Sequence, residues 1–308
     1  MKAPRKIAVI GAGLMGHGIA LTMARAGHEV IVQDPFPIAL EQLGRRIEES
    51  LLAMGVAIND VPEIIKRIDN TLSLRDAADG VDIVIEAAPE KLELKREIFA
   101  EIEKHAPTNA ILASNTSVIQ ITKIMDGLNN PNRALGTHWW NPPHMIPLVE
   151  VIKTEWTDEA SANSMFELLE NVGKTPVVVE RDVPGFIGNR LQHALWREAI
   201  SLVENGICDA EAVDTVVKSC FGRRLAILGP LENADLVGTD LTLDIHENVL
   251  FDLESRREPS PFLRNLVQEG RLGMKSGRGF KDWTKEEADA VRGRVATHLS
   301  RLEGILTD

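Results

Sequence analysis

Over the first 180 residues the chain alternates between two hydrophobic periods. Short, nearly all-apolar runs occur at Lys6–Ile10, His28–Asp34, Val81–Ala87, Ala110–Ser114, Arg133–His138, Pro147–Ile152 and Thr175–Glu180. Each predicts a strand buried on both faces. Stretches of helical period separate several of them: Leu14–Ala26 with Gly27 as its C-cap, Pro37 to about Met54, Val61–Ile68, Leu92–His105 and Asp158–Asn171. Strands alternating with helices predict a mostly parallel sheet covered on both sides. The pattern changes after Glu180. The stretch RDVPGFIGNR carries the Pro and Gly of a boundary. Beyond it Phe186–Glu204, Ala210–Ser219, Asp240–Leu253 and Pro261–Gln268 read as helices, with no convincing strand among them. The expected organisation is an α/β domain over 1–182 and an all-helical domain over 183–308.

A length of 308 residues agrees with two domains at about 150 residues each. The charges, 34 Lys+Arg against 46 Asp+Glu, give −12, which argues against nucleic acid or an anionic membrane as partner. The two cysteines, Cys208 and Cys220, have no zinc or CxxC spacing and read as buried apolar residues. No apolar run approaches the roughly 18 residues of a membrane span. The opening MKAPRKIAVIGAG runs into Gly and His rather than a signal-peptide core, so a soluble, cytoplasmic chain is expected. The chain contains no tyrosine. That excludes oxidoreductases whose proton donor is a tyrosine, such as short-chain dehydrogenases and aldo-keto reductases.

The first apolar run leads into Gly11-Ala-Gly13-Leu14-Met15-Gly16, which opens the first helical stretch. A GxGxxG between a strand and a helix is the fingerprint of a Rossmann-type doubly wound sheet that binds a dinucleotide. The first glycine permits the tight turn, the second lets backbone approach a pyrophosphate, and the third lets helix and strand pack closely. Asp34 ends the second strand, where an acid binds the adenosine ribose 2′-hydroxyl and repels a 2′-phosphate. NAD is therefore expected rather than NADP. A flavin and a ligand-free turn are the other readings of the motif.

The stretch from Gly136 to Val151, GTHWWNPPHMIPLVEV, holds a second constellation. Oxidising an alcohol requires a base for the hydroxyl proton, and histidine serves near neutral pH. A carboxylate beside it fixes the tautomer. His138 ends one predicted strand and Glu150 lies in the next, so an antiparallel return would join them. This block resembles the HFFNPVxxMxLVEVV block of the L-3-hydroxyacyl-CoA dehydrogenase family. IEAAPEKLELKREIF, SNTSVIQIT, DVPGFIGNR, GPLENADLVGTD and GMKSGRGF resemble further family blocks in the same order, across essentially the whole chain.

The resemblance implies His138 as catalytic base, Glu150 as its orienting acid, and Ser117 and Asn189 as holders of the substrate oxygen. It implies that Glu90, Lys95, Asn115, Ser117, Asn141 and Lys275 line the NAD site with the glycine loop. It also implies an active site between the domains, a place in fatty acid metabolism, and a homodimer joined through the helical domain. The family uses no metal, against the alternative reading of His138, His144 and Glu150 as ligands.

The chain departs from the family pattern at several points. Trp139-Trp140 replaces the usual Phe-Phe, and Trp139 is expected to re-dress the substrate pocket. His144 is a candidate substrate donor. Ser50 resembles the serine that holds the coenzyme A nucleotide, yet no Lys or Arg lies between Arg46 and Lys66, while Glu48, Glu49, Asp60 and Glu63 do lie nearby. Arg223 and Arg224 stand where free-acid relatives, such as L-carnitine and L-gulonate dehydrogenases, have comparable segments; an arginine fork suits a carboxylate. The resemblance thus implies as substrate a 3-hydroxyacyl-CoA or similar β-hydroxy compound, or alternatively a free hydroxy acid or aromatic aldehyde carboxylate. A non-catalytic protein resembling lambda-crystallin and a lysine-dependent 3-hydroxyisobutyrate-type dehydrogenase are the remaining readings.

Overall fold

The structure, a computed structural model, describes residues 3–306. The first part runs β1 (Lys6–Ile10), α1 (Leu14–Arg25), β2 (Glu29–Gln33), α2 (Pro37–Glu41), α3 (Leu43–Ala53), α4 (Val61–Ile65), β3 (Ile68–Thr71), α5 (Leu74–Ala78), β4 (Ile83–Glu86), α6 (Leu92–His105), β5 (Ile111–Ser114), α7 (Ile121–Met125), β6 (Ala134–Trp139), β7 (Leu148–Ile152), α8 (Glu159–Asn171) and β8 (Thr175–Val179). The second part holds α9 (Gly188–Glu204), α10 (Ala210–Ser219), α11 (Pro230–Val237), α12 (Thr239–Val249), α13 (Pro261–Gln268) and α14 (Lys285–Leu306). No helix among the described residues is long and apolar enough to cross a membrane.

The strands form one sheet in the order β3-β2-β1-β4-β5-β6-β7-β8. Every neighbouring pair is parallel except β6 and β7. The chain reverses its direction of travel across the sheet between β1 and β4, which leaves the crevice where such sheets bind ligands. All seven expected strands form. The eighth, β3, and the short helices α5 and α7 escape the sequence reading. IDNT is short and polar and pairs only with β2 at the sheet edge, so it lacks the apolar signature of a central strand. The expected helix from Pro37 to Met54 is broken at Gln42, which caps α2 and precedes α3. The expected helices after Glu180 form, and α11 and α14 join them.

Side-chain alternation divides the core. Ile7, Val9, Leu135, Trp139, Val149 and Val151 face α1, α3, α4 and α8. Ala8, Ile10, Val84, Leu112 and Ile152 face α5, α6 and α7. Period-two geometry thereby puts His138 and Glu150 on the second face, one residue out of phase with Trp139.

Among the described residues, those up to Arg190 form one compact unit and Leu191–His298 form another. The first unit thus ends eight residues beyond the expected boundary at Asp182. The reason is local: the amides of Ile187 and Gly188 bond Glu150, and the side chain of Asn189 bonds the Ser117 carbonyl.

Candidate active site

The glycine loop is shaped by close approaches. Gly11 has φ +106°, and a Cβ there would lie 2.8 Å from the carbonyl oxygen of Ala87. A Cβ at Gly16 would lie 1.7 Å from the Gly11 oxygen, so only glycine lets α1 pack this close to β1. Gly13 differs: nothing stands within 4 Å of the equivalent point. No side chain caps the start of α1 at Gly13, which leaves its first amides for an anion. Leu14 is exposed and Met15 half-buried at that opening. The carboxylate of Asp34 accepts from the amide of Ala12 at 2.9 Å and of Phe36 at 3.0 Å. It is thus held beside the loop with lone pairs to spare for ribose hydroxyls. An open cradle, uncapped helix amides and a fixed acid fit a dinucleotide.

At the neighbouring strand ends lies a buried charge network. Lys95 is fully buried on α6, not a solvated helix lysine. Its Nζ donates to Glu86 Oε1 at 2.7 Å and to the Ala88 oxygen at 3.2 Å, and stands 3.5 Å from Glu90 Oε2. Glu86 also accepts from the Ser114 hydroxyl at 2.6 Å and the Ala88 amide at 2.7 Å. Glu90 Oε1 accepts from Thr116 Oγ1 and from the amides of Ser117 and Val118. Burial pushes the Glu90 carboxyl up, but the Thr116 hydroxyl, the Lys95 charge and the two amides together hold it below the usual range. Ser117 is thereby presented on a fixed turn with its side chain exposed. Asn115 is buried, and its Oδ1 accepts from the Trp139 amide at 2.9 Å. Glu86 and Thr116 are participants that sequence reasoning missed. The available signal was a charged residue closing an apolar run.

His138 and Glu150 are direct cross-strand partners in the β6–β7 register. His138 Nδ1 and Glu150 Oε2 are 2.7 Å apart, and the residues are 3 % and 1 % exposed. The other oxygen, Oε1, accepts from the amides of Ile187 at 2.8 Å and Gly188 at 3.0 Å. Burial alone would raise the Glu150 carboxyl; the His138 N–H and the two amides outweigh it and keep the group ionised below its ordinary value. The carboxylate therefore fixes the proton on Nδ1 and leaves the lone pair on Nε2. Trp140 and Phe186 flank the imidazole, with ring centroids 5.0 and 5.5 Å away. Asn189, nearly buried, donates from Nδ2 to the Ser117 oxygen at 2.9 Å, which joins the start of α9 to the Ser117 turn. His138, Glu150, Ser117 and Asn189 are thus tied together within the first unit.

Trp139, His144 and the two cysteines depart from expectation. Trp139 is a core residue on the opposite face from His138, with Lys174 Nζ 5.5 Å from its ring centre; Trp140 is the tryptophan beside the imidazole. His144 packs on α1, not at His138: its ring lies 5.8 Å from that of His17, and a Cβ at Gly18 would reach its Nδ1 at 2.9 Å. His17 in turn holds the Ser50 hydroxyl at 3.2 Å. Cys220 is exposed and Cys208 half-buried, so neither is a core residue. Asn141 is exposed in the β6–β7 connection. In the second unit, Arg223 and Arg224 are exposed around a short 3-10 turn, and Lys275 is exposed in the turn before the Arg278 bridges. Among the described residues no cluster of three or more His, Cys, Asp or Glu could hold a metal ion.

Two family models match the chain. Residues 6–183 match the 3-hydroxyacyl-CoA dehydrogenase NAD binding domain, and residues 185–283 match the C-terminal domain of the same family. The chain is 36% identical over 305 residues to 5-formyl-3-hydroxy-2-methylpyridine 4-carboxylate 5-dehydrogenase of Mesorhizobium japonicum, covering 98% of each chain. It is also similar to the crystal structure of such a pyridine carboxylate 5-dehydrogenase, an NAD+-dependent dismutase, at TM-score 0.91 and 35% identity over 99% of both chains. Similarity to (S)-3-hydroxybutyryl-CoA dehydrogenase of Ralstonia eutropha has TM-score 0.76 at 31% identity, covering 92% of this chain and all of that one.

The His144 contact makes stability depend on pH. Burial, with His17 and Lys174 nearby, pushes the His144 imidazole down to about 4. As pH falls below about 6.5 the unfolded chain takes up this proton first. The stabilisation is thus complete above 6.5 and declines as pH falls towards about 4. Urea unfolding at several pH values should show this decline, with a shallower slope in His144→Gln. An identical slope in the variant would assign the effect to other groups, His17 first.

Proposed function

The chain belongs to the 3-hydroxyacyl-CoA dehydrogenase family, and from that premise we propose that it catalyses the NAD-dependent oxidation of a carbinol carbon with His138 as general base. One observation carries this reading: the 2.7 Å contact of His138 with a buried carboxylate that fixes its tautomer. Nε2 of His138 takes the hydroxyl proton, and Glu150 balances the imidazolium that results. The Ser117 hydroxyl and the second amide hydrogen of Asn189 hold the reacting oxygen. Bound NAD supplies the hydride acceptor. Glu90 fixes the Ser117 turn, and Lys95 acts through Glu86 and Glu90 rather than touching ligand. Asp34, the glycine loop, Asn115 and Asn141 line the cofactor site. A non-catalytic scaffold has no use for a base and its supporting acid in this register.

Substituting His138 by Gln should leave NAD affinity within about twofold, followed by fluorescence titration, and lower kcat by about 100- to 10,000-fold. Near-normal turnover would remove His138 from the base role.

Two substrate classes suit this chemistry. The first is a 3-hydroxyacyl-CoA such as 3-hydroxybutyryl-CoA, as the family name describes. The second is a free hydroxy acid or an aromatic aldehyde carboxylate, whose hydrate presents the same O–H and C–H. Specific observations favour the second. Similarity to the pyridine carboxylate dehydrogenase extends over 99% of both chains at the higher TM-score. Ser50, the counterpart of a coenzyme A-binding serine, is occupied by His17. Exposed Glu48, Glu49, Asp60 and Glu63 lie along that segment, with Glu49 paired to Arg45 and Glu63 to Lys66, so a phosphate there would meet like charge at Glu48 and Asp60. NADH oxidation should therefore be faster with free keto acids or pyridine aldehyde carboxylates than with acetoacetyl-CoA. The reverse order would establish the thioester reading.

The second unit supports a homodimer. Leu231, Leu236, Leu243 and Phe251 on or beside α11 and α12 are 79%, 72%, 60% and 83% exposed. A surface so apolar usually meets a partner, here a second copy. Sedimentation should give twice the 33.9 kDa chain mass, and Phe251→Asp with Leu231→Glu should give the monomer. A monomeric parent chain would refute the dimer.

A further inference from the structure

Phe186 is the only non-glycine residue among those described with a positive φ, +50°. It is also fully buried. A left-handed backbone is unfavourable for a residue with a Cβ and persists where the surroundings over-determine it. Three observations converge here. The two amides that follow, Ile187 and Gly188, both point at Glu150 Oε1. The carbonyl of Val183 accepts from the Phe186 amide at 3.1 Å, which closes the turn from the other side. The ring of Phe186 packs against His138, tilted by 53°. One residue therefore contacts the histidine with its side chain and shapes the carboxylate's support with its backbone.

We propose that Phe186 is a positioning residue for the His138–Glu150 pair, acting through a left-handed turn that makes an anion nest for Glu150 and a ring that fixes the plane of the imidazole. Successive backbone N–H groups in such a turn form a concavity for an anion. In this protein the anion is a carboxylate of the same chain. With Oε1 held by the nest, only Oε2 is directed at Nδ1, so rotation of the carboxylate is blocked. Phe186 with Trp140 confines the ring that Oε2 addresses. The inference rests on the reading of His138 as base, but its first readout does not.

The test uses four variants of the chain with Phe99→Leu as control, since Phe99 is equally buried and shares a core cluster with Phe186 but lies on α6, whereas the pair lies on β6 and β7. The readouts are the far-downfield imidazole N–H proton signal of the bonded pair, the acid limb of the kcat/KM profile, and KM for NAD. Phe186→Leu should lose the downfield signal, lower kcat at least tenfold and move the acid limb to lower pH, with KM for NAD within twofold. Phe186→Tyr should keep the signal, kcat and the acid limb as they are in the parent chain. Phe99→Leu should lose stability and leave the signal and the acid limb in place. Phe186→Gly should be more stable and more active than Phe186→Ala, the opposite of the usual ranking, because glycine adopts this φ without strain.

A retained signal and unmoved acid limb in Phe186→Leu would overturn the proposal, as would Ala outperforming Gly. Loss of NAD binding in all four variants would also overturn it, reducing Phe186 to a core residue. If instead His138→Gln turned over normally while the downfield signal still followed Phe186, the base assignment would fail and the positioning would stand.

Discussion

An ionised carboxylate taken out of water is tolerable only if its lone pairs are met. Glu150 is the side chain on which this molecule stakes that condition. A buried carboxylate left unpaired costs several kcal/mol, and here the donors come from one imidazole and two consecutive amides. The strand register supplies the first and the turn at Phe186 supplies the others. The local geometry of β6, β7 and the 183–188 turn is therefore not independently adjustable. Slipping one strand by a single residue would turn His138 or Glu150 to the wrong face and strand a charge.

A second buried carboxylate plays the corresponding role at the ends of β4 and β5. Glu86 gathers Lys95, the Ala88 amide and the Ser114 hydroxyl, and Lys95 then reaches towards Glu90, which ties down the turn of Ser117. Breaking such a pair by removing one partner costs about 3–5 kcal/mol. The two networks meet where Asn189 bonds the Ser117 carbonyl. Sites that work by proton transfer need groups held to within a few tenths of an ångström, and side chains locked from behind achieve this better than side chains on free loops.

Much of this was legible in the chain. Seven apolar runs marked seven strands, because strands buried on both faces leave an unmistakable composition; β8 shares the composition but not the burial, since it lies at the sheet edge with Thr175 and Val177 exposed. The glycine loop and Asp34 declared the nucleotide site, since backbone approach and ribose binding restrict residue choice severely. His138 and Glu150 were visible as a pair because their spacing suits a hairpin. Less visible were features that depend on contacts between elements. β3 is polar because it sits at the edge. The partner of Lys95 lies on a strand rather than on its own helix. His144 meets His17 only after the β6–β7 connection folds over α1. The left-handed turn at Phe186 has no compositional trace, for phenylalanine is not a residue that favours it. The tryptophans could have been sorted correctly from the sequence: period two puts Trp140, not Trp139, on the side of His138.

The reversal between β6 and β7 has a wider meaning. Any other neighbouring pair in this sheet is joined by a crossover or by a long excursion, so two groups placed on such a pair would depend on everything in between. His138 and Glu150 instead sit on one hairpin, closed by about eight residues from Trp140 to Pro147. The pair is thus assembled across the shortest link between neighbouring strands of the sheet. Glu150 thereby joins the most local pairing in the sheet to amides 37 and 38 residues further along the chain, so that a hairpin and a distant turn share one anchor.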